Sequence, residues 1–320
     1  YDRAIAIKPD YADAYWNKSF ALLLNSDFAH GWELYEWRWK LETFSSPKRN
    51  FSQPLWLGAE DIAGKTLLLH AEQGLGDTLQ FCRYAKEVSA LGARVVLEVP
   101  KPLLALLQTL EGVDRLVVAG EPLPEFDYHC PLMSLPLAFK TDLDCIPCPQ
   151  AYLAADTHRR DVWLQKLGPK TKPRIGLVWS GSTTHGNDHN RSLPLATLLP
   201  HLPSDYDYVS LQKEFRETDK DALSASNIQH FGEQLNDFSD TAALCDLMDL
   251  VISVDTSVAH LASAMGKLTW VLLPYVPDWR WMLDRTDSPW YESVKLYRQD
   301  ESQSWQKVLT QMALDLNTYS

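Results

Sequence analysis

From Lys65 onward the chain alternates short β-rich runs with helical stretches, and that alternation restricts it to α/β architectures built on parallel sheets. Strands are expected over residues 65–70, 93–99, 115–118 and 126–129, with helices between them. A proline-rich loop (Pro131, Pro136, Pro147, Pro149) and a polar helix near 158–167 lead to a second series at 174–179, 206–211, 228–231, 249–254 and 268–273. The pattern implies two Rossmann-like halves. Ligands in such sheets bind beyond the carboxyl ends of the strands, so the loops after His70, Trp179, Leu211, Val254 and Leu273, and a cleft between the halves, are where chemistry is expected. A length of 320 residues agrees with two domains plus additional structure.

That additional structure precedes the alternation. Tyr1 and Tyr35 are 34 residues apart, and Pro9 sits where a tetratricopeptide unit closes its second helix. In that register Tyr15 takes the aromatic position of the next first helix, Ser19 the small one, Leu22 the large one, Gly31 the small position of the second helix and Tyr35 the following aromatic. Arg38 and Thr43 stand where the repeat has Ala and Pro, as in an atypical last repeat. An ordinary helical hairpin packed on the larger domain is the plain alternative. Trp32, Trp37 and Trp39 are expected to dock the hairpin on the neighbouring α/β domain. The expected division is 1–45 as the hairpin, 46–165 and 166–300 as the two halves, and 301–320 as a helix, near 303–316, returning to the first half.

Charge and cysteine content narrow the function. Thirty Lys and Arg against 42 Asp and Glu leave a net charge of −12, which argues against nucleic acid or an anionic membrane surface as partner. Apolar runs such as Leu67–Leu69 and Trp270–Leu273 fall far short of the ~20 residues of a membrane span. The opening Tyr1-Asp2-Arg3-Ala4 has no signal-peptide pattern and reads as the interior of a helix, so the chain is expected to begin inside a longer protein. Five unevenly spaced cysteines fit a reducing compartment, the cytoplasm. Cys145-Ile-Pro-Cys148 with His129-Cys130 could be drawn as a zinc site, but the pair lies in a proline-rich loop without a second C-x-x-C, and ordinary loop cysteines are the better reading.

Two segments carry the chemistry. The first runs from His70 through Gln73-Gly74-Leu75-Gly76-Asp77, a strand end passing through two glycines into a helix expected to begin near Asp77. A dinucleotide fingerprint would need glycine at Leu79, although Glu98 is spaced for a ribose contact. Asp77 is either an N-cap, a general base toward an acceptor hydroxyl, or both. The second is Asp249 to Ala262, a buried strand followed directly by a helix. Its N-terminus, with Thr256 and Ser257, suits a diphosphate; His260 lies one turn on, and Asp255 can accept from sugar hydroxyls. A plain capping sequence with a satisfied core histidine is the alternative.

Asp255-Thr-Ser-Val-Ala-His-Leu-Ala262 resembles the Asp-Thr-x-x-x-His-Leu-Ala signature of glycosyltransferase family nine, the heptosyltransferase-like enzymes, and Gly76-Asp77 resembles that family's other signature. The likeness extends over about residues 65–300. The hairpin in front is similar to the repeats that some bacterial proteins fuse to such a domain. The resemblance implies a GT-B-type pair of Rossmann-like domains, a nucleotide-sugar donor as co-substrate with no other cofactor, no required metal, and inversion at the anomeric carbon. It places the base on Asp77, with Gln73, Gly74 and Gly76 as the acceptor-side loop. Donor contacts fall on Asp255, Thr256, Ser257, His260 and Arg191, and further candidates are Lys213 and a backbone nest at Ser180-Gly181. The acceptor stays open between a saccharide, a lipid-linked saccharide and a protein, with a protein partner through the repeats. Ser257-Val258 replaces the family's common Gly-Pro, so a heptose donor does not follow. A mobile donor loop at 181–190, a role for Asp278-Trp-Arg-Trp281 either in stacking on the donor or in packing against the first domain, and two further classes, a non-catalytic scaffold and a nicotinamide-dependent oxidoreductase, complete the expectations.

Overall fold

A computed structural model of the chain describes residues 1–319. They fall into two compact units, the first made of residues 1–148 and 277–285, the second of 149–276 and the residues from 286 onward.

Unit 1 opens with α1 (Asp2–Ile7), α2 (Ala12–Leu24) and α3 (Phe28–Tyr35), followed by a 3-10 turn over Glu36–Lys40. The Asp27 side chain caps α3 by accepting from the His30 amide. A side chain at Gly31 would lie 2.6 Å from Leu23, so glycine lets α2 and α3 touch. Trp32 is buried, donates to the Thr141 carbonyl at 3.0 Å and meets Trp279 edge-on. Trp37 instead stacks on Tyr15 at 3.7 Å and Trp39 packs on Phe44, so of the three tryptophans expected to dock the hairpin, these two stiffen it internally. The hairpin is thus part of unit 1.

Then come β1 (Thr66–His70), α4 (Leu75–Phe81), α5 (Tyr84–Ala90), β2 (Arg94–Val99), α6 (Leu104–Leu107), β3 (Arg115–Val118), β4 (Tyr128–Pro131) and α7 (Leu135–Ala138). The strands form a parallel sheet in the order β3-β2-β1-β4. Its register sets His70 opposite Glu98. On that face Leu68, Val96 and Val117 pack under Phe51, Leu123 and Phe126.

Unit 2 contains α8 (Thr157–Leu167), β5 (Arg174–Val178), α9 (Asp188–Arg191), α10 (Leu195–Leu198), β6 (Asp207–Ser210), α11 (Lys220–Ser224), β7 (Gln229–His230), α12 (Phe238–Asp246), β8 (Leu250–Val254), α13 (Ser257–Ala264), β9 (Thr269–Leu273), β10 (Asp287–Ser288), β11 (Tyr291–Arg298) and α14 (Trp305–Asn317). The sheet order is β10-β11-β9-β8-β5-β6-β7, parallel except where β10 meets β11. β5, β8 and β9 are buried at every residue, which is why they read as unbroken apolar runs.

Three expectations change. The helix α8, placed with the first half, packs in unit 2, where Arg159 pairs with Asp237 and Arg160 with Asp246. The C-terminal helix does not return to the first domain: Val308, Leu309, Met312 and Leu316 of α14 join the unit 2 core with Tyr206 and Trp270. The segment that rejoins unit 1 is 277–285, because Trp279 and Trp281 are buried there and Arg280 pairs within that unit. No helix among the described residues is long and apolar enough to cross a membrane.

Candidate functional site

In unit 1 the carboxyl end of β1 passes into a loop that carries Gln73, Gly74, Gly76 and Asp77. The helix α4 begins at Leu75, two residues earlier than the sequence indicates, so Gly74 is the N-cap and Asp77 the third helical residue. Asp77 Oδ2 accepts from the Gly74 amide at 2.7 Å, the carboxylate half of a capping box. Its Oδ1 accepts from Arg280, whose Nε donates to Gln80 Oε1 at 2.6 Å and whose Nη1 reaches Asp278 Oδ1 at 2.9 Å. The guanidinium lies 4.4 Å from the Trp279 ring. Burial pushes the Asp77 carboxyl above its ordinary range, while Arg280 and the Gly74 amide pull the other way. Of the two roles expected for the Asp278-Trp-Arg-Trp281 segment, stacking on a donor or packing against the first domain, the structure shows the packing: it belongs to unit 1.

Sequence reasoning named Arg280 only within the Asp278–Trp281 segment and missed its pairing with Asp77, as it missed a second buried pair in unit 1. Arg38, wholly buried, forks onto Glu72, with Nε to Oε2 at 2.9 Å and Nη2 to Oε1 at 2.7 Å. Its only sequence signal is its departure from the repeat pattern. Between β1 and β4, His70 Nε2 lies 3.3 Å from His129 Nδ1, and burial with that neighbour pushes His70 down to about 3. Leu79 is fully buried, so the position where a dinucleotide fingerprint needs glycine is filled by a core side chain.

In unit 2 the loops after β5 and β8 bring several candidates together. Thr256 caps α13 by position without a side-chain bond to the helix; its Oγ1 lies 3.2 Å from Ser253 Oγ, and Ser257 opens the helix. His260 Nδ1 is 2.9 Å from the Tyr291 hydroxyl, and its Nε2 is 4.0 Å from Asp255 Oδ1. Arg191 Nη1 donates to the Asp255 carbonyl at 2.9 Å, while its Nε lies 3.5 Å from Asp188 Oδ1. A Cβ on Gly181 would come within 2.5 Å of Arg191 Nη2, so glycine allows the guanidinium to lie against the strand end.

Two candidates are placed differently from the sequence reading. Lys213 is exposed, and the cation that joins the cluster after β6 is Arg216, paired with Asp188. A nest needs uncommitted amides, but the Ser180 amide donates to Gln212 Oε1 at 3.1 Å and that of Gly181 to Ser192 Oγ at 2.9 Å. Beside this cluster Thr183, Thr184, His185, His189 and Arg216 line an open hollow of about 420 Å³. Among the described residues no three His, Cys, Asp or Glu side chains are grouped to hold a metal ion. Cys130 is buried in β4, and Cys145 lies exposed with its thiol against the Asp142 amide.

No protein-family model matches the sequence. Protein FlbA of Caulobacter vibrioides is 25% identical over an alignment of 385 positions that takes in 100% of this chain, which spans 64% of that protein's length. Among solved structures, ADP-heptose lipopolysaccharide heptosyltransferase II of E. coli is 14% identical with a TM-score of 0.56, covering 79% of this chain and 98% of that one. A family nine glycosyltransferase of Veillonella parvula is 10% identical with a TM-score of 0.57 over 81% of this chain and 98% of its own. E. coli heptosyltransferase WaaC, solved with ADP-2-deoxy-2-fluoro heptose, is 11% identical with a TM-score of 0.50 over 79% and 100%. At these identities the likeness is one of fold: the chain has the GT-B-like fold of family nine glycosyltransferases.

Proposed function

We propose that this chain is an inverting glycosyltransferase that moves a sugar from a nucleoside-diphosphate donor to an acceptor hydroxyl without a metal ion. The observation that carries the reading is a half-buried carboxylate, Asp77, at the strand-to-helix turn of unit 1 in a chain with the fold of family nine enzymes. In the proposed step the acceptor oxygen attacks the anomeric carbon, its proton passes to Asp77, and the bond from that carbon to the diphosphate oxygen breaks. Arg191, Arg216 and the amide end of α13 at Thr256-Ser257 take up the charge of the leaving diphosphate. Asp255 and His260, the latter oriented by Tyr291, contact the sugar.

The acceptor is a saccharide, a lipid-linked saccharide or a protein hydroxyl. The hairpin is proposed as a tetratricopeptide-derived unit, on the register of Tyr15, Ser19, Leu22, Gly31 and Tyr35. A non-catalytic scaffold with the same fold is the second reading, favoured by one observation: both Asp77 oxygens already accept, from Arg280 and from Gly74.

The test is thermal unfolding with UDP, GDP, ADP, CMP and their sugars, with NAD and NADP as controls, since a ligand of the native state raises the midpoint by mass action. A shift with one diphosphate nucleotide, followed by hydrolysis or transfer of its sugar, supports the transferase. Binding without turnover moves the assignment to the scaffold, and no shift with any nucleotide removes the donor site.

A further inference from the structure

We infer that the helical hairpin is a positioning element for the Asp77 loop, acting through Arg38 and Tyr35; this rests on the reading of Asp77 as the base. The chain of contacts is continuous. Arg38 sits at 0% exposure and Glu72 at 5%, joined by the two parallel bonds of the fork. The remaining guanidinium hydrogens go to the Tyr35 carbonyl at 3.2 Å, Glu36 Oε1 at 2.6 Å and Ser134 Oγ at 2.7 Å. The next residue, Gln73, holds φ at +60°, a left-handed conformation that costs a non-glycine residue free energy. It is retained by two contacts: its amide donates to Ser46 Oγ at 2.7 Å and its Nε2 to the Tyr35 hydroxyl at 2.8 Å. Gly74 comes next, and its amide donates to Asp77.

Stability alone does not account for the buried fork. A buried ion pair is commonly replaceable by apolar residues of similar volume without loss of stability. The hairpin also has other anchors in unit 1, Trp32 against Thr141 and Trp279. What a bidentate guanidinium provides and an apolar contact does not is a fixed direction for the carboxylate and for the backbone that carries it. One of the two positions that depart from the tetratricopeptide pattern, Arg38 in place of a small residue, is therefore the one through which the hairpin addresses the site. Arg38 and Tyr35 touch no reacting atom in this scheme and are positioning residues.

The test compares the wild-type chain with the double variant Arg38→Met/Glu72→Met and with Tyr35→Phe, using amide hydrogen exchange, urea unfolding, affinity for the diphosphate nucleotide that stabilises the wild type, and sugar turnover. The expected result for the double variant is exchange at least tenfold faster across residues 74–78 at an unchanged unfolding midpoint. Nucleotide affinity should stay within twofold and turnover fall at least tenfold. Exchange within twofold of wild type at residues 74–78 overturns the inference. Should the double variant not fold, Tyr35→Phe decides by the same exchange measurement. If the wild type turns over no sugar, the base assignment fails while the exchange result still judges the positioning.

Discussion

Asp77 shares its charge with Arg280, and that pairing governs what the carboxylate can do. Asp77→Asn keeps the size and one acceptor oxygen, so turnover should fall by about 100-fold or more, the scale of a lost general base, with nucleotide affinity nearly intact; wild-type turnover in that variant would remove Asp77 from the mechanism. Arg280→Gln removes the charge that opposes burial, so the acidic limb of the pH–rate profile should move to higher pH. A limb that stays in place would mean that Arg280 does not tune the base. His70 gives a stability prediction. Its folded value, about 3, lies below the unfolded value of 6.5, so the unfolded chain binds the extra proton between those limits. Stability should therefore drop as pH falls through 6.5, by about 1.4 kcal/mol per pH unit at the steepest, and be unaffected above it. Urea midpoints across pH for His70→Gln, which should flatten that slope, check it. The glycines ahead of Asp77 marked the residue in the sequence. Nothing in the Asp278–Trp281 segment marked Arg280 as the partner of Asp77, because it lies 203 positions away and only folding brings the two together.

At the scale of elements, the strand-to-loop junctions of unit 2 decide which cations would face the diphosphate of the proposed donor. Each charge-assisted bond to a phosphate contributes roughly 1.5 kcal/mol or more, about a factor of ten. Arg191→Ala and Arg216→Ala should each weaken nucleotide binding by about that factor, and Lys213→Ala should leave it within about twofold, as titration calorimetry would show. Equal losses at Lys213 and Arg216 would return the contact to the lysine. The sequence pattern pointed to Lys213 at that strand end and did not single out Arg216. Only two residues lie between them, and the backbone path after β6 turns one toward Asp188 and leaves the other in solvent. The same limit hid β11. Its sequence, Tyr-Glu-Ser-Val-Lys-Leu-Tyr-Arg, mixes charge with apolar residues, and pairing along Thr269–Leu273 makes it a strand.

For the whole molecule, the docking of the hairpin inside unit 1 is a contact whose loss should cost stability. Trp32→Ala deletes a buried ring and its bond to Thr141, so unit 1 should lose about 3–5 kcal/mol, read as a lower urea midpoint. A change below about 1 kcal/mol would show a hairpin that docks without contributing to that unit's stability. The sequence by itself determined the alternation of strands and helices, the parallel sheets, and the two strand ends where Asp77 and Asp255 stand, because local periodicity and glycine or capping residues encode those features within a few positions. Only the tertiary structure decided that residues 277–285 rejoin unit 1, that α14 closes the core of unit 2, and that Arg280 and Arg38 flank the Asp77 loop. Buried charges find their partners through the packing of distant segments, and no short-range pattern in the chain records which carboxylate each arginine will meet.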